Sequence, residues 1–145
     1  MITLADILTN RLLIGAVITI ALTQGTKAII NSAKGNKFSV KHLIYGIGGM
    51  PSSHSAAVAY ITSAIFIIEG LSTLFAAFLV VSLIVIRDAV GVRHTVGEQG
   101  KIINKLEEKE FRKTIVHFSE KVGHTPLQAA AGAALGIAVS LIMFL

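Results

Sequence analysis

Two histidines stand at places where an apolar helix is about to begin: Gly48-Gly49-Met50-Pro51-Ser52-Ser53-His54-Ser55 and Gly123-His124-Thr125-Pro126-Leu127-Gln128. Each stretch holds a proline suited to the first helical position, with hydroxyl residues beside it. A helix start presents free backbone N–H groups and the positive end of the helix dipole, so it favours an anion, and phosphate above others. Lys27 and Arg93 add fixed positive charge. Such a set suits phosphoryl transfer. One imidazole can attack phosphorus to give a phosphohistidine, while the other protonates the leaving alkoxide and then activates water. The cations and N–H groups would hold the nonbridging oxygens as charge redistributes in an in-line transfer.

The same residues make a poor metal site. The chain has no cysteine, and its only aspartates are Asp6 and Asp88. Magnesium or calcium takes several clustered oxygens. Zinc held by the two histidines lacks a third ligand at a telling spacing. No metal and no cofactor is expected.

The elements that must position these groups are membrane helices. Of the 145 residues 53% are hydrophobic and 14% charged, and the mean hydropathy is +0.74; ordinary soluble domains carry about 25% charged residues. Four spans are expected, at about 11–33, 51–68, 71–92 and 126–145, each near the length needed to cross the hydrocarbon layer. Backbone groups in lipid must pair internally, so the fold class is all-α, a single membrane-embedded domain over residues 1–145. A short interfacial helix is considered at Phe38 to Tyr45. The start is charge-poor, with Asp6 before Arg11 and no basic n-region, so the first span reads as a retained helix and not a cleaved signal peptide.

Alternation of the spans puts 34–50 and 93–125 on one side of the membrane. Those stretches hold Lys34, Lys37, Lys41, Arg93, Lys101, Lys105, Lys109, Arg112, Lys113 and Lys121, against little beyond Arg11 on the other side. The positive-inside rule makes the basic face cytoplasmic, in the plasma membrane, with both termini outside. Within 100–122, Ile102, Ile103, Leu106, Phe111, Ile115, Phe118 and Val122 recur at roughly helical spacing among charges, which predicts an amphipathic helix on that membrane surface. His42, His94 and His117 read as solvated surface groups.

Gln24, Lys27 and Asn31 follow spacings of three and four, one stripe of a helix facing the same pocket. Arg87, Asp88 and Arg93 close the third span, where ionisable groups read as functional, although Arg87 and Asp88 are near enough to the interface to snorkel or to pair with each other. Gly132, Gly136 and Ser140 form a small-residue ridge at spacing four, a packing face inside the bundle or between two copies.

Three stretches in order, Gly-Gly-Met-Pro-Ser-Ser-His-Ser-Ala at 48–56, Asp-Ala-x-Gly-Val-Arg-x-x-x-Gly-x-Gln at 88–99 with Asn104 after it, and Gly-His-Thr-Pro at 123–126, resemble the divergent bacterial branch of the type 2 phosphatidic acid phosphatase and vanadium haloperoxidase superfamily. The resemblance covers all but the ends of the chain. It implies that Lys27, Ser52, Ser53 and Arg93 bind phosphate, that His54 is the general acid and that His124 is the nucleophile; Asp88, Gln99, Gln24 and Gln128 are the residues expected to support them. The superfamily usually has an acidic residue four positions after its nucleophile, and here that position is Gln128. Asp88 and Glu98 are the acidic residues placed to supply the charge instead. The superfamily core usually has six helices, so a four-span chain would close its site with the amphipathic segment or a second copy.

The resemblance implies hydrolysis of a phosphomonoester or diphosphate lipid, with the headgroup at the helix ends and its chains in the bilayer. The alternative is a non-catalytic membrane protein that binds or moves phosphorylated lipids. No nucleic-acid partner is expected.

Overall fold

The computed structural model describes residues 9–33, 35, 49–111, 118, 120 and 122–145. The expectations for Asp6, Gly48, the Phe38 to Tyr45 helix, His42, His117, Ile115, Lys34, Lys37, Lys41, Arg112, Lys113 and Lys121 fall outside those residues. Among the described residues the chain is helical, with α1 at Arg11–Ala33, α2 at Ser53–Glu69, α3 at Thr73–Val90, α4 at Val92–Phe111 and α5 at Pro126–Phe144.

Local chemistry explains the boundaries. Asn10 starts α1, its Oδ1 accepting from the N–H groups of Leu12 and Leu13 at 2.9 and 3.1 Å. Ser52 and Ser72 cap α2 and α3 from extended backbone, accepting from the N–H groups of Ser55 and Phe75. Gly70 at φ +67 ends α2, a conformation open to glycine because it has no Cβ to clash. Pro51 precedes the cap of α2 and is not its first helical residue, whereas Pro126 does open α5 as the sequence suggested.

α2 is the central element, packed against α1, α3 and α5, and α5 also touches α1 and α3. Its contact with α5 is backbone to backbone. A Cβ on Gly132 would stand 2.3 Å from the Ser52 carbonyl oxygen, and one on Gly136 would stand 2.1 Å from that of Ala56. Further along, the hydroxyls of Ser63 and Ser140 meet at 2.6 Å. The ridge of Gly132, Gly136 and Ser140 therefore packs on α2 inside the chain. Thr62 and Ser82 join α2 to α3 at 2.7 Å. Small residues and hydroxyl pairs at the contacts, with large apolar side chains such as Leu83 and Ile142 turned outward, are the pattern of helices packed in lipid, where apolar burial gives little drive.

The four expected spans appear as α1, α2, α3 and α5, and one expectation, the end of the third, changes. Three helical stretches are long and apolar enough to cross a membrane: Arg11–Ala33, Thr73–Glu107 and Pro126–Phe144. α2 is apolar and, at 17 residues, is at the short end of the length that crosses the hydrocarbon layer; it packs against α1, α3 and α5. The third span does not give way to a loop before an amphipathic helix at 100. The Thr95 N–H donates to the Gly91 carbonyl and the Gly91 N–H to that of Arg87, so hydrogen bonding runs through the break and Arg93–Gln99 are helical.

Candidate active site at the shared helix ends

Helix direction brings four ends together: the last third of α1, the starts of α2 and α5, and the end of α3. Lys27 on α1 donates from Nζ to Ser53 Oγ at 2.8 Å. The Ser52 N–H donates to the Gln128 carbonyl at 3.0 Å, tying the two helix starts. The His124 N–H donates to the Ala89 carbonyl at 2.9 Å, tying the lead-in of α5 to the end of α3. Gly123, at φ +86, makes the approach possible, because a Cβ there would stand 2.3 Å from the His94 backbone nitrogen.

Lys27, Ser53, His54 and His124 gather at this end. His54 is exposed on the first turn of α2 and lies within electrostatic reach of Arg93, Lys27 and Asp88. Arg93, on the first turn of α4, donates from Nε to Asp88 Oδ2, with both side chains roughly half exposed. An open pair of this kind is weakly held and free to exchange partners. Ser52 has another task than phosphate contact. Its side chain is fully buried, and its Oγ accepts from the N–H and hydroxyl of Ser55. Gln24 is half-buried about one turn before Lys27, and Gln99 is exposed on α4 beyond Arg93. No hydrogen bond among the described residues ties either to the cluster.

His124 is 5% exposed, and its buried Nδ1 has no hydrogen-bond partner among the described residues. Burial holds its pKa below the ordinary histidine value, and the charge of Lys27 pushes the same way. The Gln128 side chain opposes them, His54 adds to the lowering, and the Gly49 carbonyl opposes it. The ring is therefore biased towards the neutral form that a nucleophile needs. Neither candidate for a substitute carboxylate bonds to it: Asp88 holds Arg93, and exposed Glu98 holds Lys101 at 2.7 Å.

Gln128 has a structural role that the sequence reading missed. Its Oε1 accepts from the Thr125 N–H at 3.0 Å while its own N–H donates to Thr125 Oγ1, a reciprocal capping box. The signal was present as Thr125 followed three residues later by Gln128 ahead of an apolar run. Asn104, named only as part of a motif, is 7% exposed and grips the backbone of Phe118. No sequence rule pairs residues fourteen apart across a chain reversal. Among the described residues no group of three or more histidines and carboxylates is placed to hold a metal ion. Two imidazoles at helix starts, with the Lys27 ammonium and the Arg93 guanidinium nearby, suit an oxyanion and a proton transfer.

No solved structure matches the chain. The uncharacterized membrane protein YuiD of Bacillus subtilis (strain 168) is 34% identical over 153 aligned positions, which cover 95% of this chain and 96% of that protein. The model of the divergent PAP2 family matches residues 8–139, a range that takes in both histidine helix starts and the α3–α4 junction between them. The chain is thus a helical membrane protein that belongs to the divergent PAP2 family.

Proposed function

We propose that this protein is a lipid-phosphate phosphatase that hydrolyses a phosphomonoester or diphosphate lipid through a phosphohistidine on His124. The observation that carries the reading is the meeting of Lys27, Ser53, His54 and His124 at one helix-end site, with Arg93 held beside it. Lys27 and the first-turn N–H groups of α2 would bind nonbridging oxygens, and Arg93 would leave Asp88 for the phosphate, a stronger charge-assisted partner. With Nδ1 sealed, Nε2 is the nitrogen left to attack phosphorus. The P–O bond to the lipid breaks as the P–N bond forms, and protonated His54 gives its proton to the leaving oxygen. His54 then takes a proton from water, whose oxygen attacks phosphorus, breaks the P–N bond and releases phosphate.

Cations carry the charge stabilisation in this scheme, so no step calls on a metal ion. The site end of the bundle also carries Arg87, Lys101, Lys105 and Lys109, while Arg11 is at the far end; this supports a cytoplasmic site at the plasma membrane and a biosynthetic lipid. A second reading, a non-catalytic binder or mover of phosphorylated lipids, draws on the unpartnered Nδ1 and on Gln128 being engaged in a helix cap.

The deciding experiment offers the purified chain a panel of phosphatidic acid, phosphatidylglycerophosphate and an isoprenyl diphosphate, with a chelator present. Phosphate release is expected, falling by at least about 10³-fold in His124→Ala, as for removal of an attacking group. Release that depends on added divalent metal would overturn the phosphohistidine scheme. Binding without release from any lipid would establish the second reading.

A further inference from the structure

We infer that Asn104 is a positioning residue for His124, acting through the chain segment that leads into it. The Asn104 side chain donates from Nδ2 to the Phe118 carbonyl at 3.0 Å and to Glu120 Oε1 at 2.8 Å, while its Oδ1 accepts from the Phe118 N–H at 3.0 Å. An amide that both gives to and takes from one residue's backbone fixes that residue much as a paired strand would. The side chain is buried, where polar groups are held in place because leaving them unpaired is costly.

Asn104 does not act alone on this face of α4. Gly97 lies seven residues earlier, two turns along the same stripe. A Cβ there would stand 2.6 Å from the Val122 carbonyl oxygen and 3.1 Å from that of Glu120, so the helix offers a hollow into which the returning chain fits. One further turn down, Gly123 rests on the backbone of Arg93 and His94. The next residue is His124. The returning chain is thus held at three heights on one helix, and the lowest is the turn that carries Arg93.

One rigid element therefore sets the separation between the Arg93 guanidinium and the His124 imidazole. Loss of the Asn104 grip frees the lead-in, lets the ring leave its buried place, and loosens its register against Lys27 of α1 and His54 of α2, the charged and titratable groups that face it, as well as against Gln128 and the Gly49 carbonyl. The inference concerns the histidine assigned above as nucleophile, so it rests on that reading for its functional meaning, but its test does not need turnover.

The test uses the full chain in lipid nanodiscs with ¹⁵N-labelled histidine, signals assigned by single His→Gln variants, and inorganic phosphate as probe. In the native protein His124 is expected to titrate below the usual histidine range, and both His124 and His54 signals to move with phosphate. In Asn104→Ala the His124 midpoint should rise by about one pH unit as its burial is lost, with the His54 midpoint unmoved and the His124 phosphate response weakened about tenfold. Asn104→Asp keeps the acceptor for the Phe118 N–H, loses the donor and faces Glu120 with a carboxylate, so it should fall between the two. A role in stability alone would lower the melting temperature of both variants and leave the His124 midpoint where it was; that result overturns the inference. If Asn104→Ala does not fold, Asn104→Asp and Gly97→Ala decide by the same midpoint. Native histidines that ignore phosphate would sink the anion-site reading while the midpoint comparison still judged Asn104.

Discussion

His124 owes its state to burial and to neighbours that carry no negative charge, and both can be altered singly. Gln128→Glu keeps a capping box, because glutamate suits the third helical position as well as glutamine does, and it places a carboxylate where Gln128 already acts on the ring. The variant should fold as stably as the native chain, raise the His124 pKa, and speed phosphate release by about tenfold through stabilisation of the imidazolium. Unchanged rates together with an unchanged His124 titration would show that the side chain is too far engaged with Thr125 to reach the ring. Gln128→Ala, by contrast, keeps the Thr125 cap but loses the hydrogen bond from the Thr125 N–H, and should cost about 1 kcal/mol of stability.

The pH dependence has a definite sign. A histidine whose folded pKa is below its unfolded value binds fewer protons when folded, so its contribution to stability is complete above the unfolded value and is lost as pH falls through the folded one. The melting temperature should therefore drop on acidification below about pH 6.5, and His124→Gln should show a smaller drop. Both histidines were legible from sequence because each stands beside a proline and hydroxyls at the edge of an apolar run. The split of labour between Ser52, a buried cap, and Ser53, a partner of Lys27, was not, since adjacent serines carry the same chemistry and only the turn of the helix separates them.

At the scale of elements, the α2–α5 contact holds the two histidine-bearing starts in register, and it depends on glycines whose missing Cβ is filled by backbone. Gly136→Ala puts a methyl group 2.1 Å from the Ala56 carbonyl oxygen and 2.9 Å from the Tyr60 nitrogen. Neither is the end of a flexible side chain, so the helices must separate, at about 1–3 kcal/mol. Gly25→Ala is the matched control: nothing lies within 4 Å of a Cβ there, and the change should be neutral or stabilising by up to about 1 kcal/mol. Thermal unfolding of both variants in one detergent measures the contrast, and equal destabilisation would contradict backbone contact at Gly136. Spacing alone exposed the Gly132, Gly136 and Ser140 ridge in the sequence, but spacing does not say which partner a ridge meets. The end of the third span, expected at about 92, was not legible in the same way: hydrogen bonding continues past it because the Gly91 N–H and C=O still find Arg87 and Thr95.

At the scale of the whole molecule, the order of helix ends is a stronger constraint than any residue pair. α1 ends, α2 starts, α3 ends and α5 starts at the site, so a chain that crosses the membrane with each span has one site face, and the α2–α3 turn must lie on the other. The helical run Thr73–Glu107 has 35 residues, about 52 Å at 1.5 Å per residue, against a hydrocarbon layer of roughly 30 Å. Lys101, 43% exposed and far along that run, therefore stands clear of the lipid on the site side, while Leu71, 84% exposed in the α2–α3 turn, marks the opposite side. The chain has no cysteine of its own, so Lys101→Cys and Leu71→Cys each give a single reporter. With a membrane-impermeant maleimide on intact cells, Leu71→Cys should label and Lys101→Cys should label only after permeabilisation. The reverse result would place the histidines outside the cell and favour a lipid carrier recycled there over a biosynthetic intermediate. Labelling of both from one side would break the link between helix order and sidedness, because it would require α3 to enter and leave on the same face.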